Sequence, residues 1–126
     1  LIARAFVHPA LNVVVSAHAF AVYTLVTKAV GAELRVVPAQ GWGHNLEMMA
    51  DAIDSKTRVV FLANPNNPTG TWIDRKNLTA FLNAVPTDVL VVLDEAYFEY
   101  VQEEEYPNGI ELLGLHPNLI VTRTFS

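Results

Sequence analysis

The sequence predicts one α/β domain, in which a mainly parallel sheet carries helices on both faces. Strand-length apolar runs alternate with helical patterns along the chain, and this alternation is typical of parallel strands joined by crossover helices. Two of the runs, residues 59–63 and 89–93, have no polar residue on either face, as expected for strands that helices cover on both sides. The length of 126 residues and the hydrophobic content of 52% suit one well-buried domain.

Capping and breaking residues set the element boundaries in the first half of the chain. A helix that begins the chain ends before His8-Pro9, and Gly31 is a good residue to end the second helix. Asn45 is suited to cap the start of the third helix. The predicted elements are a helix over 1–6, a strand over 12–16, a helix over 20–30, a strand over 34–37 and a helix over 46–53.

The second half of the chain continues the alternation. Asp74 is the predicted N-cap of a helix that runs through Leu82, and Pro86 follows its end. Residues 106–109 have the composition of a turn. The predicted elements are strands over 59–63 and 89–93, a helix after Asp74, a short helix over 110–115 and a strand over 118–125.

Polar clusters follow the ends of four predicted strands. These clusters are His18, residues 64–70, residues 94–97 and Ser126. Because the carboxyl ends of parallel strands meet at one edge of a sheet, and ligands bind beyond that edge, we expect a binding site there. Residues 64–70 read Asn-Pro-Asn-Asn-Pro-Thr-Gly. Turn chemistry accounts for one Asn-Pro pair, but not for two pairs closed by Thr-Gly.

Composition argues against several classes of partner. The net charge of −5, without a cluster of Lys or Arg, argues against nucleic acid and against an anionic membrane surface. Polar residues interrupt the uncharged stretch 11–27, so we predict no transmembrane segment. The four histidines show no metal-ligand spacing, so we assign no metal site. The absence of cysteine fits a reducing compartment, and we expect a cytoplasmic protein.

The acidic pair Asp94-Glu95 directly follows an apolar strand, and two functions use that arrangement. A nucleotide hydrolase places such an acid on a metal, but it needs a glycine-rich loop ending in Gly-Lys-Ser/Thr. Leu115 stands where that lysine would follow Gly114, so a phosphate loop would have to lie outside this sequence. The second function is a buried aspartate that faces a heteroaromatic nitrogen.

The motif Asn-Pro-x-Asn-Pro-Thr-Gly resembles the signature loop of fold-type I aminotransferases, which bind pyridoxal 5'-phosphate (PLP). The resemblance covers almost the whole chain in order, and it implies that residues 1–126 are the central part of the PLP-binding large domain. It also implies that Asp94 keeps the pyridine nitrogen of the cofactor protonated. Asn67 and Tyr97 match the two donors to its phenolic oxygen.

Three further cofactor contacts are implied by the same resemblance. Residues 16–20, followed by Tyr23, resemble the segment whose first aromatic stacks on the cofactor ring, so Phe20 is the candidate; a core aromatic at a helix start would fit the position equally well. Ser126 matches a phosphate ligand, and Thr124 is a weaker candidate. On a strand their spacing of two would place both hydroxyls on one face, although β-propensity also explains the threonine.

Residues 59–70, 92–100 and 122–126 resemble histidinol-phosphate aminotransferases in particular. That family transfers an amino group between a small-molecule amino donor and an oxo acceptor such as a 2-oxo acid. In histidine biosynthesis it converts imidazole-acetol phosphate and glutamate to histidinol phosphate and 2-oxoglutarate, and a homodimer is expected. An aromatic amino-acid aminotransferase is one alternative. The other is the PLP-sensing, aminotransferase-like domain of a transcriptional regulator, which would carry a helix-turn-helix segment upstream.

The catalytic residue of the family has no counterpart in this sequence. The Schiff-base lysine is expected just after Ser126, and Lys28, Lys56 and Lys76 fall on or beside helices and do not replace it. We therefore expect this chain to be part of a longer one. Glu95 is expected to anchor a loop rather than to act as a catalytic acid.

Overall fold

The computed structural model describes residues 1–125 as five helices, one 3-10 turn and five strands. The helices are α1 (Ile2–Phe6), α2 (Ala21–Ala29), α3 (Leu46–Asp51), α4 (Arg75–Ala84) and α5 (Gly109–Leu112), and the 3-10 turn is Phe98–Tyr100. The strands are β1 (Asn12–Ser16), β2 (Glu33–Val37), β3 (Thr57–Ala63), β4 (Leu90–Asp94) and β5 (Leu119–Thr122). No helix within 1–125 is both long and apolar enough to cross a membrane.

The five strands form one sheet in the order β2-β1-β3-β4-β5, and every neighbouring pair is parallel. The chain leaves β1 towards one edge to form β2, then crosses back over β1 to form β3 and continues to the other edge. The direction of winding therefore changes between β1 and β3. In open parallel sheets, ligands bind beyond the carboxyl ends of the strands at such a point.

Helices cover both faces of the sheet, as predicted. On one face, α1 and α2 pack against an apolar cluster that includes Val13, Val59 and Phe61. On the other face, α3, α4 and α5 pack against a cluster that includes Val60 and Leu62. Residues 59–63 are each 5% exposed or less, because successive side chains of this strand enter alternate clusters.

The capping residues hold the helices as the sequence predicts. The side chain of Asn45 accepts a hydrogen bond of 3.0 Å from the backbone N–H of Met48, and Asp74 accepts one of 2.7 Å from Asn77. Gly31 follows α2 with a φ of 73°, the left-handed conformation that favours glycine. The third and fifth helices are shorter than predicted.

The predicted strand over 118–125 was too long, since β5 ends at Thr122. Its neighbour β4 ends at Asp94, which pairs with Thr122. The backbone N–H of Glu95 makes one more bond of 2.8 Å to the carbonyl of Thr122, and the chain then turns away. Residues 123–125 therefore have no strand beside them, and the prediction that Thr124 lies on a strand is wrong.

Candidate functional site

A narrow cleft of about 100 Å³ opens at the carboxyl edge of the sheet, beside the point where the winding changes direction. The ends of β3 and β4, the loops that follow them and the start of α2 contribute its walls. The lining residues are Phe20, Tyr23, Ala63, Pro65, Asn67, Asp94, Ala96 and Tyr97. Four of the six predicted cofactor residues thus meet in one place.

Asp94, the last residue of β4, is the acidic group of the cleft. Its Oδ2 accepts a hydrogen bond of 2.6 Å from the hydroxyl of Tyr23, and its Oδ1 accepts one of 3.2 Å from the backbone N–H of Ala96. The two contacts fix the orientation of the carboxylate. An ionised carboxylate has about four acceptor positions, so this one can still accept a hydrogen bond from a ligand.

Tyr23 also lines the cleft, a role that its position in the sequence does not predict. Its ring is buried and stacks on Phe61, with centroids 4.7 Å apart and planes 2° apart. Burial, and then the hydrogen bond and negative charge of Asp94, raise the pKa of the Tyr23 hydroxyl well above its ordinary value. Tyr23 therefore remains a proton donor to Asp94 at neutral pH.

Phe20 stands at the mouth of the cleft, directly before α2. Its ring is 38% exposed and meets the ring of Tyr23 edge to face, with centroids 5.7 Å apart. It belongs to neither apolar cluster of the sheet within the described residues. Phe20 thus presents an aromatic surface at the cleft, and its role as a stacking residue stays a prediction.

The loop after β3 is held rigidly by its own asparagines. The side chain of Asn64 accepts a hydrogen bond of 2.8 Å from the N–H of Ile73 and donates one of 3.1 Å to the Ile73 carbonyl, which joins the two ends of the loop. The amide of Asn66 donates to Thr69 at 2.7 Å and to the carbonyl of His18 at 3.2 Å, which joins the loop to the end of β1. This framework positions Asn67.

Asn67 and Tyr97 provide the polar groups of the cleft that have no partner yet. Asn67 is half-buried, and Tyr97 is 43% exposed. Over residues 1–125, neither the side-chain amide of Asn67 nor the hydroxyl of Tyr97 makes a hydrogen bond. Both groups are therefore free to donate to an oxygen atom of a ligand.

The structure does not place either predicted phosphate contact, Thr124 or Ser126, in the lining of the cleft. Thr124 is exposed, follows the end of β5, and is not among the residues that line the cleft. Ser126 lies outside the described residues. Their contact with a phosphate group stays a prediction. Within the described part of the chain, no group of three or more His, Asp or Glu residues could hold a metal ion.

Glu95, next to Asp94 in sequence, does not face the cleft. It is fully buried and forms an ion pair of 2.7 Å with Arg123. This contact agrees with the predicted role of Glu95 as an anchor.

Comparison with known proteins places the sequence in a family. The profile of the family described as aminotransferase class I and II matches residues 1–126. The chain belongs to this family. The predicted membership is confirmed, and the nucleotide-hydrolase alternative is set aside.

Individual members of the aminotransferase class I and II family resemble the chain closely. It is 60% identical to a histidinol-phosphate aminotransferase 2 of Pseudomonas fluorescens and 61% identical to the protein of the same name in Pseudomonas aeruginosa, over 126 residues in each case. It covers 34% of each of these two proteins, so it spans about a third of their length.

Among solved structures, the sheet and helices match a histidinol-phosphate aminotransferase from Sinorhizobium meliloti in complex with pyridoxal-5'-phosphate. The TM-score is 0.91 at 35% identity, and the match covers 99% of this chain and 34% of that one. The α/β fold with a parallel sheet is therefore the fold of this family.

Proposed function

We propose that the full-length protein is a PLP-dependent aminotransferase that acts on histidinol phosphate, and that residues 1–126 are the central part of its PLP-binding domain. The observation that carries the proposal is the cleft in which Asp94, oriented by Tyr23, lies beside Asn67 and Tyr97. Membership of the aminotransferase family supports the reaction class. The names of the relatives that are 60% and 61% identical support the substrate.

The side chains of the cleft fit PLP by their chemistry. Asp94 keeps acceptor capacity for a protonated ring nitrogen, because only one donor contacts each of its oxygens. The unpaired donors of Asn67 and Tyr97 suit the phenolic oxygen. The exposed ring of Phe20 suits the flat face of a heteroaromatic ring.

The cofactor, held by these residues, would supply an electron-accepting ring for chemistry at the substrate Cα. Asp94 supports this chemistry by holding a proton on the ring nitrogen, since a neighbouring carboxylate favours the charged form of a base. Asn67 and Tyr97 stabilise negative charge on the phenolic oxygen by donating hydrogen bonds to it. Tyr23 keeps the Asp94 carboxylate in one orientation. Thr124 and Ser126 are the proposed contacts to the phosphate group.

The proposal extends to substrates and assembly. In the biosynthetic direction, glutamate donates the amino group to imidazole-acetol phosphate, which gives histidinol phosphate and 2-oxoglutarate. The resemblance of residues 59–70, 92–100 and 122–126 to this group of aminotransferases implies these substrates. The same resemblance implies a homodimer and a cytoplasmic location. Sedimentation of the full-length protein tests the dimer independently of activity.

Steady-state kinetics of the full-length protein test the function. We expect kcat/KM for histidinol phosphate to exceed that for phenylalanine by at least about a hundredfold, because a site built to bind a polar group strongly rejects a substrate that lacks it. Comparable values for both donors would favour an aromatic aminotransferase. Binding of PLP without transfer from either donor would favour the regulatory alternative. The Asp94→Asn variant is the control for activity that depends on the cleft.

A further inference from the structure

The carboxylate of Glu95 is fully buried and has three donors. The backbone N–H of Gly109 donates to Oε1 at 2.7 Å. The guanidinium of Arg123 donates twice to Oε2, from Nη2 at 2.7 Å and from Nε at 3.0 Å. Oε2 thus accepts from two nitrogens of one guanidinium, and this contact is geometrically specific because the planar guanidinium permits few such arrangements.

Arg123 is itself held from two other sides. Its guanidinium carbon lies 3.8 Å from the centroid of the Phe98 ring. Its Nη2 also donates to Oδ1 of Asn108 at 2.8 Å, and that same oxygen caps α5 by accepting from the N–H of Ile110 at 3.2 Å. The Glu95–Arg123 ion pair therefore connects three segments: the turn after β4, the start of α5 and the residues that follow β5.

The first residue of α5, Gly109, packs closely against the carboxylate of Glu95. A Cβ atom on Gly109 would lie 2.7 Å from Oε1 of Glu95 and 2.6 Å from the side chain of Leu93. Only glycine fits at these distances, so the N–H of residue 109 can approach the buried carboxylate. The contact is thus built into the packing of the domain.

The position of the ion pair gives it a role beyond packing. Glu95 lies between Asp94 and Tyr97, which line the cleft, whereas Arg123 directly precedes Thr124, the candidate phosphate contact. The last backbone bond between the two segments joins the N–H of Glu95 to the carbonyl of Thr122 at 2.8 Å. Within residues 1–125 the strand pairing ends there, and the Glu95–Arg123 ion pair is a further connection between the two segments.

We propose that Glu95 and Arg123 are positioning residues for the cofactor. Neither side chain lines the cleft, so the pair acts through the backbone. It sets the distance between the turn that carries Asp94 and Tyr97 and the segment that carries Thr124. This inference rests on the proposed function, because it assigns the two segments to opposite parts of one PLP molecule.

Two conservative variants of the full-length protein test the inference. Arg123→Lys keeps the positive charge but loses the planar fork and the stacking on Phe98, and Glu95→Gln keeps the size and one acceptor but loses the charge. The readouts are the dissociation constant of PLP, titrated into apoprotein, and the pH dependence of the absorbance of bound PLP. The matched control is Arg75→Lys, because Arg75 forms an exposed ion pair of 3.0 Å with Glu111.

We expect both variants to raise the dissociation constant of PLP by at least about fivefold and to shift the pH midpoint of its absorbance, because a lost buried charge contact displaces the segments. The control should stay within about twofold of wild type, as exposed pairs contribute little. If Glu95→Gln does not fold, Arg123→Lys decides the matter.

A purely structural role predicts a different result. If both variants lower the thermal stability of the apoprotein but bind PLP with the wild-type constant and pH profile, the positioning role is overturned. If the wild-type protein does not bind PLP, the proposed function fails and this inference fails with it. The wild-type titration, together with the wild-type kinetics on histidinol phosphate, therefore distinguishes the two failures.

Discussion

The hydroxyl of Tyr23 donates a hydrogen bond of 2.6 Å to Oδ2 of Asp94 and so joins α2 to the end of β4. The ring of Tyr23 is held in place by stacking on Phe61, which belongs to the same apolar cluster on one face of the sheet. The orientation of the acidic group in the cleft is therefore set by the packing of the domain and does not depend on a ligand. A preoriented carboxylate is what the proposed ring-nitrogen contact requires.

Replacing Tyr23 with phenylalanine should weaken the site without unfolding the domain. The variant keeps the ring that packs on Phe61 but removes one of the two donors that orient Asp94. A hydrogen bond to a charged group is worth about 1.5–3 kcal/mol, so we expect the affinity for PLP in the full-length protein to fall by at least about tenfold. Equilibrium titration of apoprotein with PLP measures this change.

Tyr100→Phe is the matched control for that experiment, because Tyr100 is 82% exposed and does not line the cleft. It should bind PLP as the wild-type protein does. Equal effects of the two substitutions would show that the contact between Tyr23 and Asp94 is unimportant for binding.

Asp94→Asn should reduce transamination far more than Asn67→Ala. The first substitution removes the charge that keeps the ring nitrogen protonated, and such electrostatic contacts contribute about a hundredfold or more to rate. The second removes one of two donors to the phenolic oxygen and should cost about tenfold. Single-turnover rates of the full-length variants separate the two. Equal and mild effects would place Asp94 outside the cofactor site.

Local sequence patterns were sufficient to predict most of the framework. Asn45 and Asp74 mark helix starts because their side chains accept backbone hydrogen bonds within the first turn, and that interaction is local. The apolar run 59–63 indicated a strand that helices cover on both faces, because a continuous apolar run without alternation is typical of such a strand. The rule that parallel strands end at one edge then placed Asn67, Asp94 and Tyr97 together.

Contacts between distant residues could not be predicted in this way. Tyr23 and Asp94 are 71 positions apart, and the apolar spacing of α2 explains Tyr23 fully without that contact. Glu95 and Arg123 are 28 positions apart, and nothing in either local pattern indicates a pair. The end of β5 was misplaced because it depends on where the neighbouring strand β4 turns away.

Gly109→Ala should destabilise the domain. The added methyl group would lie 2.6 Å from the side chain of Leu93 and 2.7 Å from Glu95 Oε1, and overpacking of this kind costs about 1–3 kcal/mol. Gly114→Ala is the matched control, because nothing lies within 4 Å of its added Cβ. Urea unfolding of the full-length protein gives both values. A stability of Gly109→Ala equal to that of the control would contradict the described packing around Glu95.

The contribution of Asp54 to stability should depend on pH. The backbone N–H of Lys56, then the amide of Asn12 and the guanidinium of Arg35, lower the pKa of Asp54 to about 2. Because the pKa in the folded state lies below its ordinary value of 3.8, the stabilisation is complete above that value and is lost as pH falls towards about 2.

Urea unfolding at a series of pH values tests this dependence. Asp54→Asn should be less stable than wild type at pH 5–7, and the difference should shrink as pH falls below about 4. The exposed Asp88 supplies the control variant Asp88→Asn. A difference for Asp54→Asn that stays constant or grows towards low pH would refute the assigned direction of the shift.

The protonation state of the ring nitrogen tests the central claim most directly. Nitrogen-15 NMR of the full-length protein, loaded with PLP labelled at the pyridine nitrogen, reports whether that nitrogen carries a proton. We predict a protonated nitrogen in the wild-type protein at neutral pH and an unprotonated one in Asp94→Asn, because the carboxylate that favours the charged form is then absent. The same protonation state in both proteins would contradict the assignment of Asp94, and with it the cofactor site.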